Sequence, residues 1–188
     1  MSAIQIQGNA SGAGVFTIAS PNSASSYTAT LPTQTGTLGM DGPAFSAYIN
    51  GSAQSISATT WTKVNMNAED FDTNSNYDTT NYRFTPTIAG YYQITGIVFF
   101  NVGASATSAS VAIYKNGSIY KGAATYSLAN GAMEGSISLP MLFNGSTDYV
   151  EIYVYSSSAT SVLGSTNTGY GGAGGVNGLF NGYLIRGT

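Results

Sequence analysis

The chain has 188 residues, 43% of them hydrophobic, with five Lys+Arg against eight Asp+Glu and a net charge of −3. It contains neither cysteine nor histidine, which excludes disulfide scaffolds, Cys/His zinc sites, thiolate nucleophiles and every His-based triad within one chain. Charged residues make up 7% of the chain where about 25% is usual, and the balance gives no basic footprint for nucleic acid or anionic lipid.

Residues 1–41 are rich in Ser, Thr, Ala and Gly, broken by Pro21 and Pro32, with only sparse apolar positions at Ile4, Ile6, Val15, Phe16, Ile18, Leu31 and Leu38. Such a segment cannot build a core alone. It reads as a disordered tail or as an extended arm that orders by adding strands to a neighbour, and at about 3.3 Å per residue it reaches roughly 130 Å. The amino terminus has neither the basic region nor the apolar region of a secretory signal. The longest apolar run, Ile97-Val-Phe-Phe100, is far short of the roughly 20 residues that span a bilayer, so no membrane insertion is expected.

From residue 42 onward the apolar pattern has a period of two. Ala47/Ile49, Ile94/Gly96/Val98, Val111/Ile113, Ile137/Leu139, Val150/Ile152/Val154 and Phe180/Gly182/Leu184 each alternate with a second set of residues. That is the signature of strands with one buried face, and no stretch of a dozen residues has helical period. Asn50-Gly51, Asn116-Gly117, Asn130-Gly131, Asn144-Gly145 and Asn177-Gly178 punctuate the runs as hairpin-type turns. Asn181-Gly182 falls inside the last run and predicts a bulge or a close backbone approach. Many short strands with turns between them make an antiparallel sandwich or barrel.

Several candidate sites compete with plainer readings. Asp70, Asp72, Asn74, Asn76 and Asp78 place oxygen side chains at alternate positions, the spacing by which a loop wraps a hard cation such as Ca2+. Ser75 stands where such a loop carries glycine and Asn81 where it carries a bidentate Glu, departures that favour an Asx-turn connection between strands. Apart from this candidate cation no cofactor is expected. Gly169-Tyr-Gly171-Gly-Ala-Gly174 is a literal G-x-G-x-x-G, but a strand rather than a helix follows it, so it reads as a loop and not as a dinucleotide site. The carboxylates Glu69, Asp70, Asp72, Asp78, Glu134, Asp148 and Glu151 show no pairing across a cleft, and the chain is not expected to be an enzyme. Glu151 is out of phase with Val150/Ile152/Val154 and is expected to face solvent or a neighbouring subunit. Asn9, Asn50, Asn116 and Asn144 head formal glycosylation sequons that are more simply turn chemistry. Tyr91, Tyr92, Phe84, Phe99, Phe180 and Tyr183 lie in strand runs and are assigned to core and subunit packing. Trp61 lies outside those runs.

Residues 43–186 carry blocks that resemble C1q-like domains of the C1q/TNF jelly-roll superfamily. Pro43-Ala-Phe-Ser-Ala-Tyr48 resembles the opening strand, Asn76-Tyr-Asp78, Tyr82-Arg-Phe-Thr-Pro86 and Gly90-Tyr-Tyr-Gln-Ile94 the central block, and Ile113-Tyr-Lys-Asn-Gly117 the next strand and turn. Gly145-Ser-Thr-Asp148-Tyr-Val150 matches the late Gly-Asp-x-Val segment with two residues inserted, and Phe180-Asn-Gly-Tyr-Leu-Ile185 resembles the closing strand. Asn81 stands where the family often has glycine, a position that asparagine can also occupy in the left-handed region. The resemblance implies an all-β, ten-stranded antiparallel jelly-roll sandwich over 42–188 that assembles as a homotrimer. It adds Phe45 and Tyr48 to the core and trimer set.

The arm is similar to segments of tailed-bacteriophage fibres and virion appendages, through Gly8-Asn-Ala-Ser-Gly12, Val15-Phe-Thr-Ile18, Thr28-Ala-Thr-Leu-Pro32 and Gly36-Thr-Leu38. The two resemblances imply a virion structural protein made in the host cytoplasm. It would be a capsid decoration, head fibre or short tail-fibre knob, bound to capsid or tail proteins through residues 1–41. The alternative is an adhesin that recognises host-surface glycans through loops 72–81, 103–109, 122–134 and 157–177.

Overall fold

The computed structural model describes residues 42–102, 108–126, 131–166 and 178–188. Among them every regular element is a strand. The first six are β1 (Ala44–Tyr48), β2 (Gln54–Ile56), β3 (Thr62–Lys63), β4 (Ala68–Asp72), β5 (Tyr77–Asp78) and β6 (Arg83–Phe84). There follow β7 (Gly90–Val102), β8 (Ser108–Lys115), β9 (Ser118–Tyr126), β10 (Gly131–Phe143), β11 (Val150–Ser156), β12 (Thr160–Val162) and β13 (Gly178–Gly187). Eight of these have five residues or more, and five segments of two or three residues, β2, β3, β5, β6 and β12, patch the edges. The sequence expectation of ten strands therefore becomes thirteen segments of unequal length.

All pairings are antiparallel and form two sheets. The seven-stranded sheet runs β2-β12-β7-β13-β1-β4, with β10 along the other side of β7. The six-stranded sheet runs β5-β6-β11-β8-β9, with β3 also on β11. Strand β7 organises the first sheet. It pairs with β10 from Gly90↔Phe143 to Val102↔Gly131, and with β13 from Gly90↔Gly187 to Val98↔Gly178.

The alternation read from the sequence selects the inner faces. Ala47, Ile94, Val98, Val111, Ile113, Val150, Ile152, Val154 and Phe180 are all buried between the sheets, as period-two patterning of a sandwich requires. Aromatic rings bridge the two layers. Phe45 of the seven-stranded sheet stacks on Phe84 of the other at 4.2 Å and on Tyr77 at 5.2 Å, and meets Phe180 edge-on at 4.9 Å. Burial pushes the Tyr77 phenol far up, and its hydroxyl donates to the Met66 carbonyl at 2.8 Å. The jelly roll is thus closed without disulfides.

The turn chemistry is partly as read. Asn116 and Gly117 both have positive φ, 54° and 77°, and close the β8–β9 hairpin as a two-residue turn of this kind demands. Gly51 and Gly145 also sit at positive φ. Asn130 and Asn177 lie outside the described residues, whereas Gly131 and Gly178 already begin strands. At Gly182 the expected close approach is present: a Cβ there would lie 2.7 Å from Ile94 and 2.8 Å from the Gln93 carbonyl oxygen. The bulge of β13 falls later, between Leu184 and Arg186. Near β6 the left-handed residue is Tyr82, with φ of 54°, and not Asn81, which instead donates to Asp78.

Truncating the central ring, Phe45→Ala, is expected to lower unfolding free energy by about 3–5 kcal/mol, measured by urea denaturation of the full chain.

Candidate assembly interface

The register of β7, β10, β13, β1 and β4 fixes what the seven-stranded sheet shows to the outside. At one end Leu142, Tyr91 and Arg186 are neighbours across three strands. The next row is Pro140, Gln93, Tyr183 and Ala44, followed by Ser138, Thr95, Asn181, Ser46 and Phe71. Beyond it come Ser136, Ile97, Leu179, Tyr48 and Ala68, then Glu134 beside Phe99. Two apolar bands therefore flank a polar belt. Within the belt Gln93 Nε2 donates to Ser138 Oγ at 2.8 Å, and Thr95 and Ser138 hydroxyls are 2.7 Å apart. Ser46 Oγ donates to Asp70 Oδ2 at 2.9 Å.

Among the described residues nothing covers the apolar side chains of this face. Tyr91 is 44% exposed, Leu142 46%, Tyr183 54% and Ile185 51%. Soluble monomers rarely show contiguous apolar patches beyond a few hundred Å² unless something binds there. The eight aromatic residues assigned to core or trimer divide between the two sides. Phe45, Phe84, Tyr92 and Phe180 are fully buried core, whereas Tyr48, Tyr91, Phe99 and Tyr183 occupy the outer face. The sequence reading missed Leu142, Ile185 and Phe71. Leu142 had a signal: it alternates with the buried Met141 and Phe143.

The oxygen-rich loop uses its side chains on its own backbone. Asp72 Oδ2 accepts from the Tyr77 amide at 2.6 Å, Asp78 Oδ1 from the Thr80 and Asn81 amides at 2.9 Å, and Asn76 Oδ1 from the Thr87 amide at 3.1 Å. Asn74 Oδ1 accepts from Thr73 Oγ1 at 2.9 Å, and Asp70 is held by Ser46. Asp72 and Asp78 head Asx-type turns through the Asn74 and Thr80 amides, and hydrogen bonds from Asn81 hold the Asp78 carboxyl below its usual range. Ser75, at the position a cation loop gives to glycine, has φ of 54°. Among the described residues no three His, Cys, Asp or Glu side chains are grouped to hold a metal ion.

Two other acids differ from expectation. Glu151 does point away from the core side of β11, yet it is only 4% exposed because Lys63 Nζ closes over it at 2.8 Å. Asp148, at the site of the two-residue insertion, joins Lys115 Nζ at 2.9 Å, Asn116 Nδ2 at 2.8 Å and the Asn144 amide at 3.0 Å. The loop segments proposed for glycan contact include strand: residues 122–126 belong to β9, 131–134 to β10 and 160–162 to β12. The arm residues 1–41, with Ile4 through Leu38, and Gly169 through Gly174 lie outside the described residues.

No protein-family model matches this sequence, and no curated protein matches it. Solved structures do. The globular domain of zebrafish complement 1qA matches with TM-score 0.58 at 15% identity, over 78% of this chain and 99% of that one. Eiger TNF from S. frugiperda matches with TM-score 0.60 at 8% identity, over 79% and 96%. PRD1 vertex protein P5 matches with TM-score 0.53 at 18% identity, over 79% and 100%. The fold is the C1q/TNF jelly roll. Within this jelly roll residues 44–48 form the first strand, and residues 179–183 of β13 pair with them.

Burial raises the Asp148 carboxyl, but hydrogen bonds from Asn116, Lys115 and Asn144 outweigh it and leave it below the usual range. A depressed carboxyl stabilises the fold above its unfolded pKa and loses that contribution as pH falls through the folded value. Thermal melting of the full chain should therefore weaken below about pH 4. Asp148→Asn should melt lower at neutral pH and show a smaller acid-induced drop.

Proposed function

We propose that this chain is a non-enzymatic structural protein of a phage particle. In this reading residues 42–188 form a trimeric knob and residues 1–41 attach it to capsid or tail proteins, as a capsid decoration, head fibre or short tail-fibre component. The observation that carries the proposal is the open aromatic face of the seven-stranded sheet. A jelly roll that already has a complete core carries a second apolar layer there, Tyr48, Tyr91, Ile97, Phe99, Leu142, Leu179 and Tyr183, which no described residue covers.

Identical copies around a threefold axis satisfy such a face, because a closed ring repeats one head-to-tail contact in which one part of the face meets a different part on the next subunit. The belt of Gln93, Thr95, Ser138 and Asn181 between the apolar bands sets the vertical register of the copies, since a one-row slip would press hydroxyl and amide groups onto aromatic carbon. A virion context is supported by the likeness to PRD1 vertex protein P5 and by the fibre-like arm.

Light scattering should give three times the 19.3 kDa of one chain. Tyr183→Lys, which places a charge on the open face and leaves the core untouched, should yield a folded monomer. A wild-type monomer at micromolar concentration would refute the trimer. Mass spectrometry and negative-stain imaging of purified virions test the location, and absence of the chain from the particle would end the structural reading.

A further inference from the structure

The six-stranded sheet turns a different surface outward. By register, Glu151, Tyr153 and Tyr155 of β11 share that face with Ser110, Ala112 and Tyr114 of β8, and Lys63 joins them from β3. Four rings form a continuous set. Tyr155 lies 5.6 Å from Trp61 and Trp61 6.1 Å from Tyr114, both tilted, and Tyr114 stacks on Tyr153 at 3.8 Å. All four are half-buried.

Next to this wall the surface drops. Tyr153, Ala112 and Gly122 share one row, and Tyr155, Ser110 and Ala124 the next. Gly122 and Ala124 are exposed on the edge strand β9. A Cβ on Gly122 would make only ordinary van der Waals contact, 3.7 Å at the nearest, so packing does not require the glycine.

The polar atoms of the wall are uncommitted. The hydroxyls of Tyr114, Tyr153 and Tyr155 and the indole N–H of Trp61 make no hydrogen bond with a described residue. The ion pair nearest the rings is closed on itself. Lys63 is held by Glu151 at 2.8 Å and also donates to the Asn81 carbonyl at 3.2 Å, and the Arg83 guanidinium lies 4.8 Å over the Tyr149 ring.

Area and charge together select the occupant. Four largely buried aromatic side chains expose on the order of 100–300 Å² together, less than half of the roughly 800 Å² per partner in a stable protein interface. Lys63 and Glu151, the charges on this face by register, are spent on each other. What fits is a small, flat, uncharged molecule with polar groups around its rim. A hexopyranose has this form: its C–H face lies against an aromatic ring, and its hydroxyls reach phenol and indole groups that no described residue bonds.

We propose that the Trp61–Tyr114–Tyr153–Tyr155 face binds a short, uncharged hexopyranose oligosaccharide, stacked on the aromatic wall with its edge over the Gly122/Ala124 shelf. The ring wall is on a sheet face outside the segments to which glycan contact was first assigned, and only its shelf, Gly122 and Ala124 on β9, falls within one of them, 122–134. It stands separately from the position of the chain in a virion.

Trp61 is the chain's single tryptophan, so its emission reports this face alone. The full-length protein is titrated with maltohexaose, cellohexaose and the N-acetylglucosamine hexamer, with sialyllactose as the charged probe. A saturable emission change with at least one neutral probe, at a dissociation constant of about 1 mM or tighter, is expected. Tyr155→Ala should weaken it at least about tenfold. Gly122→Arg, which fills the shelf without touching the rings, should do the same while thermal melting stays unchanged, and it serves should Tyr155→Ala fail to fold. No saturable change with any neutral probe at about 10 mM, a response to sialyllactose alone, or undiminished binding by Gly122→Arg would each overturn the proposal.

Discussion

The rest of the molecule depends on the aromatic bridge between the two sheets. Phe45 and Phe180 on one layer lock against Tyr77 and Phe84 on the other, and the contact continues through Tyr92 to Phe143. No disulfide assists them in a chain without cysteine, so ring packing and the burial of aliphatic side chains hold the layers. Gly96 sets the spacing: a Cβ there would lie 2.6 Å from Ile152 Cδ1 of the opposite sheet. With the inner positions of β7 and β13 assigned in this way, the residues between them have no choice but the outer face.

That constraint creates two outer surfaces of different character. The seven-stranded sheet shows broad apolar bands, in which Tyr91 and Tyr183 are about half exposed, and a belt of small polar groups bonded to one another. Its extent suits another copy of the chain. The six-stranded sheet shows a narrow cluster of rings that already pack on each other, so much of their area is satisfied within the chain. Their free polar tips suit a ligand that brings hydroxyls. A trimer built on the first face leaves the second outward-facing in three copies, and multivalency then raises the avidity of weak individual sites.

The sandwich was legible because period two is a local property: Val150/Ile152/Val154 or Ile94/Gly96/Val98 needs only neighbours in sequence to declare a face. The division of the aromatic residues was not. Tyr91 and Tyr92 are adjacent tyrosines, and only the phase relative to Gly96 and Ile94 sends Tyr92 to the core and Tyr91 outward. Phe99 and Phe100 divide in the same way. The ring cluster of the six-stranded sheet was hidden for another reason: Trp61, Tyr114 and Tyr155 come from three separate segments and meet only through the pairing of β3, β11 and β8. Glu151 shows the limit of alternation, which gives a side chain's direction but not what folds over it. Lys63, 88 residues away, buries a carboxylate whose position in the repeat implied exposure.

The scarcity of charge now has a structural location. Of five cationic side chains, Lys63 and Lys115 are spent on Glu151 and Asp148, and Arg83 lies on the Tyr149 ring. These three sit around β11 and its approach, where short segments and an inserted turn must be pinned. The outer face of the seven-stranded sheet carries charge only toward its ends, at Glu134 and Arg186 and near Asp70 on β4. A surface meant for water would spread charge over its centre, because desolvating an unpaired ion costs several kcal/mol and a water-facing side chain never incurs that cost. Here the centre is tyrosine, leucine, serine and threonine, residues that can be desolvated against a copy of themselves. The low charge is therefore a property of where the chain expects contact, and it is lowest on the face with the largest apolar area left open.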